Sequence, residues 1–244
     1  MTTLPDLIYV AAFAFVSPLL DYATFWQAQH RLSQSDPAWA RQWTWKTAIG
    51  NGWLLVALGA AIWIASGRSW TSFGFVAPEG WRLWTAIAVI SLAAVYYLLG
   101  ALGVARNAQT RAKVRQQCEP LKAVLPQTRS EVAWFSGVSV TAGFCEEFLF
   151  RGYFIWALSP WLGWWGAAAL SLCIFALGHV YQGWNGVLRT AIFGALFTML
   201  VALFHSLWPA IVLHVMVDLS GGVMGWLALR EMPHDDARKQ EPQT

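Results

Sequence analysis

Charge is what this sequence has least of. Lys, Arg, Asp and Glu together make up 12% of its 244 residues, about half the share found in soluble domains. So few charges do not solvate a soluble surface of this size. They are also unevenly spread, because residues 47–66, 83–105 and 152–178 contain none at all. Cysteine is scarce too. Cys118, Cys145 and Cys173 are the full set, and no metal-type spacing joins them. They read as free thiols between helices rather than as a disulfide framework. No Lys or Arg precedes the first apolar run, which argues against a cleaved signal and for a retained helix. The apolar runs lack the alternation of a membrane barrel, and no internal repeat is visible.

What the chain has in abundance is apolar length and tryptophan. Each uncharged run matches the ~20 helical residues that cross a hydrocarbon core. Seventeen Trp and six Tyr lie mostly near the ends of such runs, as interfacial belts do. The fold class expected is all-α, a polytopic transmembrane helical bundle of about seven helices. The spans fall at 4–26, 47–66, 83–105, 131–157, 161–181, 187–206 and 208–229. Thr128 and Glu131 form a T-x-x-E capping signal before the fourth, with Pro126 just outside it. Pro160 and Pro209 mark the turns on either side of the fifth and sixth helices.

Basic residues set the orientation. Arg31, Arg41, Lys46, Arg106, Arg111, Lys113, Arg115, Lys122, Arg129, Arg189, Arg230, Arg238 and Lys239 collect on one side, against Arg68 and Arg82 on the other. Seven spans then put the N-terminus out and the C-terminus in, in a bacterial-type inner membrane. The basic 106–130 segment is either a solvated linker or a helix lying on anionic lipid. Three regions follow: N-terminal membrane helices with a basic loop over 1–127, a helical core over 128–230, and a charged tail over 231–244 read as disordered.

Charge inside the bilayer is the informative anomaly, since an ionised group there costs at least ~2.5–3.5 kcal/mol. Glu146, Glu147 and Arg151 lie in the fourth helix, His179 in the fifth, and His214 and Asp218 in the seventh. Glu147 and Arg151, four apart, share a helical face and can neutralise each other. This pair is either an interhelical lock or part of a site. Glu146 points about 100° away. It is left without that partner and is the candidate general base. Phe175 and His179 share a face. His214 and Asp218 also share one, so the carboxylate could orient the imidazole. His205 reads as interfacial, and His30 and His234 as loop residues. Gly143, Gly152 and Gly178 read as sites of close helix approach.

These residues fall in a known pattern. Glu146-Glu147-Phe148-Leu149-Phe150-Arg151 resembles the EExxxR motif of the CPBP (Abi) family of CAAX-processing and bacteriocin-processing or immunity proteins, which includes the type II CAAX prenyl endopeptidases. Phe175 to His179 resembles its FxxxH motif, and His214 to Asp218 its HxxxN/D motif, in the same order. The resemblance spans about residues 128–222. It implies an intramembrane endopeptidase that cuts a membrane-associated, prenylated or C-terminal, peptide or protein. Glu146 and His179 would activate a water, while His214 and Asp218 would stabilise the oxyanion and orient the site. Glu147, Arg151 and Phe175 would support them. The family has been classed both as zinc-dependent and as glutamate-dependent. The implied cofactor is therefore none or Zn, held by His179, His214 and Glu146. Asp218 departs from the Asn of eukaryotic members, and a carboxylate does not donate to an oxyanion.

The partners expected are that substrate and the bilayer, with no nucleic acid. Other readings of the same charges are an ion- or proton-coupled transporter and a non-catalytic scaffold or immunity protein. The expected helices also pose a geometric problem. Measured from the outer turns, Glu146, His179 and His214 lie at different depths, and straight helices would not bring them together.

Overall fold

The computed structural model describes residues 2–32 and 37–230. The tail over 231–244, with His234, Arg238 and Lys239, lies outside the described residues, as do the side chains of Asp21 and Arg31. The chain is all-helical among the described residues. Its order is α1 (Leu4–Leu32), α2 (Pro37–Ala65), α3 (Trp81–Arg106), α4 (Ala108–Cys118), α5 (Arg129–Glu146), a π-helical segment (Glu147–Phe154), α6 (Ile155–Gly178), α7 (Gly183–Phe204) and α8 (Trp208–Leu229). Short 3₁₀ turns, Glu119–Leu121 and Val180–Gln182, follow α4 and α6.

Among the described residues six stretches are long and apolar enough to cross a membrane. One of them, Arg129–Gly178, has 50 residues. Run straight it would reach about 75 Å, against a hydrocarbon core of about 30 Å. It folds back instead at Gly163, whose φ of 66° and ψ of 164° suit a residue without a Cβ. The two arms pack together. Ser171 Oγ donates to the Phe150 carbonyl at 2.8 Å, and the Phe150 and Phe175 rings meet edge-on at 5.1 Å. Six stretches with one doubled back agree with the seven spans expected.

The turn was expected at Pro160, which instead continues the helix; reversal waits for Gly163, the residue that can take a positive φ. This shift removes much of the depth problem. Glu146 lies 17 residues before Gly163 and His179 lies 16 after it, so the two reach one level. The α7–α8 turn is held deeper in the bundle. Leu207 N donates to Gly74 O at 2.9 Å and Ser206 Oγ to Val76 O at 2.6 Å, so the 67–76 segment covers it. His214, only seven residues beyond Leu207, thereby reaches the level of Glu147.

Other boundaries moved for electrostatic reasons. Arg41 and Lys46 were expected in the first loop but lie on α2, and His30 lies on α1. Arg41 enters the bundle because Glu131 neutralises it, accepting from Nη2 at 2.7 Å and Nε at 3.0 Å. Glu131 also closes the capping box with Thr128 that starts α5. The 106–130 segment forms a helix, α4, with no buried residue, followed by a stretch that packs against the bundle. Arg111 donates to the carbonyls of Val104 and Ala105 at the end of α3, and Val114 of α4 packs with Leu227 and Ala228 of α8. Ala123 and Leu125 are buried, with the Val124 carbonyl accepting from Trp45 Nε1 at 2.9 Å. α5 and α8 approach closely at Gly143, where a Cβ would stand 2.8 Å from Val215 N.

Candidate active site

The π-helical segment Glu147–Phe154 carries the first cluster, and all eight of its residues are buried. A π turn spends an extra residue per turn and re-aims side chains, and such turns recur at functional sites. Here Glu147 Oε1 accepts from Arg151 Nη1 at 3.0 Å and from His214 Nδ1 at 2.9 Å. Arg151 Nη2 donates to the Gly194 carbonyl at 3.1 Å. Its guanidinium lies 4.2 Å from the Phe175 ring centroid. The Phe197 ring stacks on His214 at 4.6 Å. The side chains of Glu147, Arg151 and His214 are 0%, 1% and 7% exposed. Ion pairs so deeply buried persist only where geometry offsets desolvation. Glu147 Oε2 is nevertheless buried with no hydrogen-bond partner.

The imidazole of His214 is therefore held by Glu147 on α5's π-helical extension, not by Asp218. The i, i+4 spacing does bring Asp218 near, but on the other nitrogen and at 3.7 Å from Nε2. Glu146 Oε2 faces the same nitrogen at 3.6 Å. Both distances exceed a direct hydrogen bond and are those of ion-pair contacts. Glu146 and Asp218 are 29% and 33% exposed, so these two carboxylates face open space while Glu147 does not.

His179 caps the C-terminus of α6. Its Nδ1 pairs with the Phe175 carbonyl at 2.9 Å. A carbonyl only accepts, so Nδ1 carries the hydrogen, and in the neutral ring Nε2 carries the lone pair. Phe175 thus does two things: its ring supports Arg151 and its carbonyl sets the tautomer of His179.

Glu146, His179, His214 and Asp218 all line one cavity of about 290 Å³. It sits at the end of the bundle that carries the basic 106–130 segment, with Leu121, Val124 and Leu125 in its wall. Thr44, Thr47, Asn51 and Gln182 add hydroxyl and amide groups. A second, apolar pocket of about 100 Å³ meets it between α1, α2 and α5. Both are lined by Glu146, His179 and Asn51. The sequence reading passed over Asn51. Its signal was a lone amide inside the uncharged run 47–66.

Among the described residues no three His, Cys, Asp or Glu side chains are arranged to hold a metal ion. The trio named for zinc, His179, His214 and Glu146, lines the cavity without forming such a group. His214 Nδ1 is committed to Glu147, and Nε2 stands between two carboxylates.

The bundle thus encloses a cavity lined by carboxylates and imidazoles, with helices long and apolar enough to cross a membrane around it. Residues 128–220, which contain all the motif residues named above, match the family model described as Type II CAAX prenyl endopeptidase Rce1-like. No curated protein and no solved structure matches the chain.

Proposed function

We propose that the protein is an intramembrane endopeptidase that hydrolyses a peptide bond of a membrane-associated polypeptide with a water activated by Glu146 and His179. The observation that carries this reading is the shared cavity. Four side chains from three separate elements, each costly in a bilayer, face one space of about 290 Å³.

The steps use these side chains together with Asn51 and Glu147. Water donates one hydrogen bond to His179 Nε2 and yields a proton to the Glu146 carboxylate as its oxygen attacks the scissile carbonyl carbon. The oxyanion needs a donor. Asp218 is ill suited to that, whereas Asn51 carries an amide N–H₂ at the junction of the two pockets. His214, in its protonated form, donates from Nε2. The C–N bond then breaks, and Glu146 returns its proton to the leaving amine. Glu147, locked between Arg151 and His214, orients the imidazole and takes no proton from water. Asp218 faces His214 Nε2 from the cavity side and favours its charged form.

The test is a trap. Glu146→Gln, in the full chain in bilayers, should retain a bound polypeptide that the unaltered protein cleaves, with cleavage reduced by about 10³-fold or more, within the range attributed to a positioned base and its partners. Full cleavage by Glu146→Gln would remove the assigned mechanism.

A further inference from the structure

α7 carries none of the motif residues, yet one turn of it touches both Arg151 and His214. Phe197 is 1% exposed. Its ring lies nearly parallel to the His214 imidazole, with centroids 4.6 Å apart and planes at 22°. The centroid of the same ring stands 5.7 Å from the guanidinium carbon of Arg151. Three residues earlier, the Gly194 carbonyl accepts from Arg151 Nη2 at 3.1 Å and from Thr198 Oγ1 at 2.8 Å. Arg151 approaches so closely that a Cβ at Gly194 would stand 2.8 Å from Nη2, and 2.7 Å from Leu172 Cδ1. The missing side chain at Gly194 therefore leaves room for the guanidinium to dock beside Phe197.

Glu147 holds one atom of the His214 ring, Nδ1, at 2.9 Å. A single hydrogen bond leaves the plane of the ring loosely set, because the histidine χ2 torsion is broad. Phe197 supplies the missing restraint on one face. Phe175 approaches the same imidazole edge-on, with centroids 6.3 Å apart and planes at 86°. Nε2 is left facing Glu146 and Asp218 at 3.6 and 3.7 Å. An imidazole that donates from both nitrogens, as the oxyanion contact requires, is electron-poor. The face of a benzene ring attracts such a group within about 6 Å. We infer that Phe197 is a positioning residue of the hydrolytic site. Its ring face sets the plane of His214 so that Nε2 points into the cavity, and Gly194 docks Arg151 so that ring, imidazole and Glu147 keep one arrangement. This inference rests on the endopeptidase reading above.

Bulk and ring face are separable. Phe204, seven residues further along α7, is equally buried at 1% exposed and belongs to the same apolar cluster as Phe197. Phe204→Leu therefore removes similar packing without touching the imidazole. Pentafluorophenylalanine at position 197 does the opposite: it keeps the shape of the ring and reverses the charge of its face.

The experiment uses the full chain in proteoliposomes, with two readouts. The first is kcat and KM on a farnesylated C-terminal reporter peptide. The second needs no substrate: the ring resonances of His214 in histidine-labelled protein, assigned by their loss in His214→Gln. A ring stacked on Phe197 should resonate upfield of an ordinary imidazole and return downfield in Phe197→Leu. Phe197→Leu and the pentafluorophenylalanine variant should each lower kcat by about tenfold, the scale of a desolvated cation–ring contact, with KM nearly unchanged. Phe204→Leu should lower stability and leave kcat per folded molecule and the His214 resonances in place. Loss of kcat in Phe197→Leu with full kcat in the pentafluorophenylalanine variant would reduce Phe197 to packing and overturn the inference. His214 resonances that ignore Phe197→Leu would overturn it as well, and both results leave the endopeptidase standing. If the unaltered protein leaves the reporter intact, the endopeptidase reading fails on this class of substrate. The resonances alone then decide whether Phe197 sets the ring.

Discussion

The buried ionic networks around Asp6 and around Glu147 are built from similar parts to opposite effect. At the end carrying the 67–76 segment, Asp6 is completely buried. Its two oxygens accept from Arg68 Nη1 and Nη2, each at 2.7 Å, from Tyr153 Oη at 2.6 Å, and from Thr3 N and Oγ1, each at 2.7 Å. The Arg68 guanidinium also lies 4.5 Å from the Trp156 ring centroid. The other network, Glu147–Arg151–His214, leaves one carboxylate oxygen unpartnered and borders a cavity faced by two further carboxylates. A satisfied network rigidifies, whereas an unsatisfied one stores a demand that a substrate or water can meet. Tyr153 belongs to the same π-helical segment as Glu147, so the closed network anchors the element that presents the open one.

That contrast predicts separable consequences. Asp6→Ala removes one side of the closed network and leaves Arg68 and Tyr153 facing each other. It should cost about 3–5 kcal/mol of stability, as breaking buried pairs does, measured by denaturant unfolding in detergent. Cleavage per folded molecule should stay near that of the unaltered protein. Asn51→Ala should do the reverse, lowering kcat by about 10²–10³-fold, the cost of losing one oxyanion donor, with little change in unfolding. Replacing Arg151 and Glu147 together, by Met and Leu, removes a buried charge pair at once. Stability should be nearly kept, while cleavage falls about 10–100-fold because His214 loses its orienting partner. Recovery of full cleavage in that double variant would make the pair a lock and nothing more.

The smallest effect belongs to Glu119 and Lys122, which are both half exposed. The Lys122 hydrogen bond, and then its charge, hold the Glu119 carboxyl below its ordinary value. A depressed carboxyl contributes stability above its unfolded value and loses it as pH falls through the lower folded one. Lys122→Ala should therefore change stability by no more than a few tenths of a kcal/mol, and only at pH above the carboxylate range. A change of several kcal/mol would show that this segment does more than border the cavity.

Much of this was legible in the sequence for identifiable reasons. The capping box at Thr128 and Glu131 was visible because its two partners are local. The seven-span architecture was visible because a bilayer demands uncharged length. What escaped depended on tertiary geometry. Pro160 is a stronger turn signal than Gly163 in isolation, yet only Gly163 takes the reversing conformation. The π turn has no composition of its own, so i, i+4 spacing nominated Asp218 as the partner of His214 while Glu147, 67 residues away, holds its Nδ1. Arg41 was read as a loop charge because its partner lies 90 residues off. Asn51 was passed over because a single amide costs a membrane helix little, and its meaning comes from what α5 and α6 bring beside it.

The central claim is that residues remote in sequence converge on one cavity within the bundle. Cysteines placed at Glu146 and His214, in a chain with Cys118, Cys145 and Cys173 replaced by Ser or Ala, test it without any substrate. A short bifunctional thiol reagent should join the two sites in proteoliposomes, and a pair at Glu146 and His205 should not join. Single labelling of both positions without any cross-link between them would contradict the account.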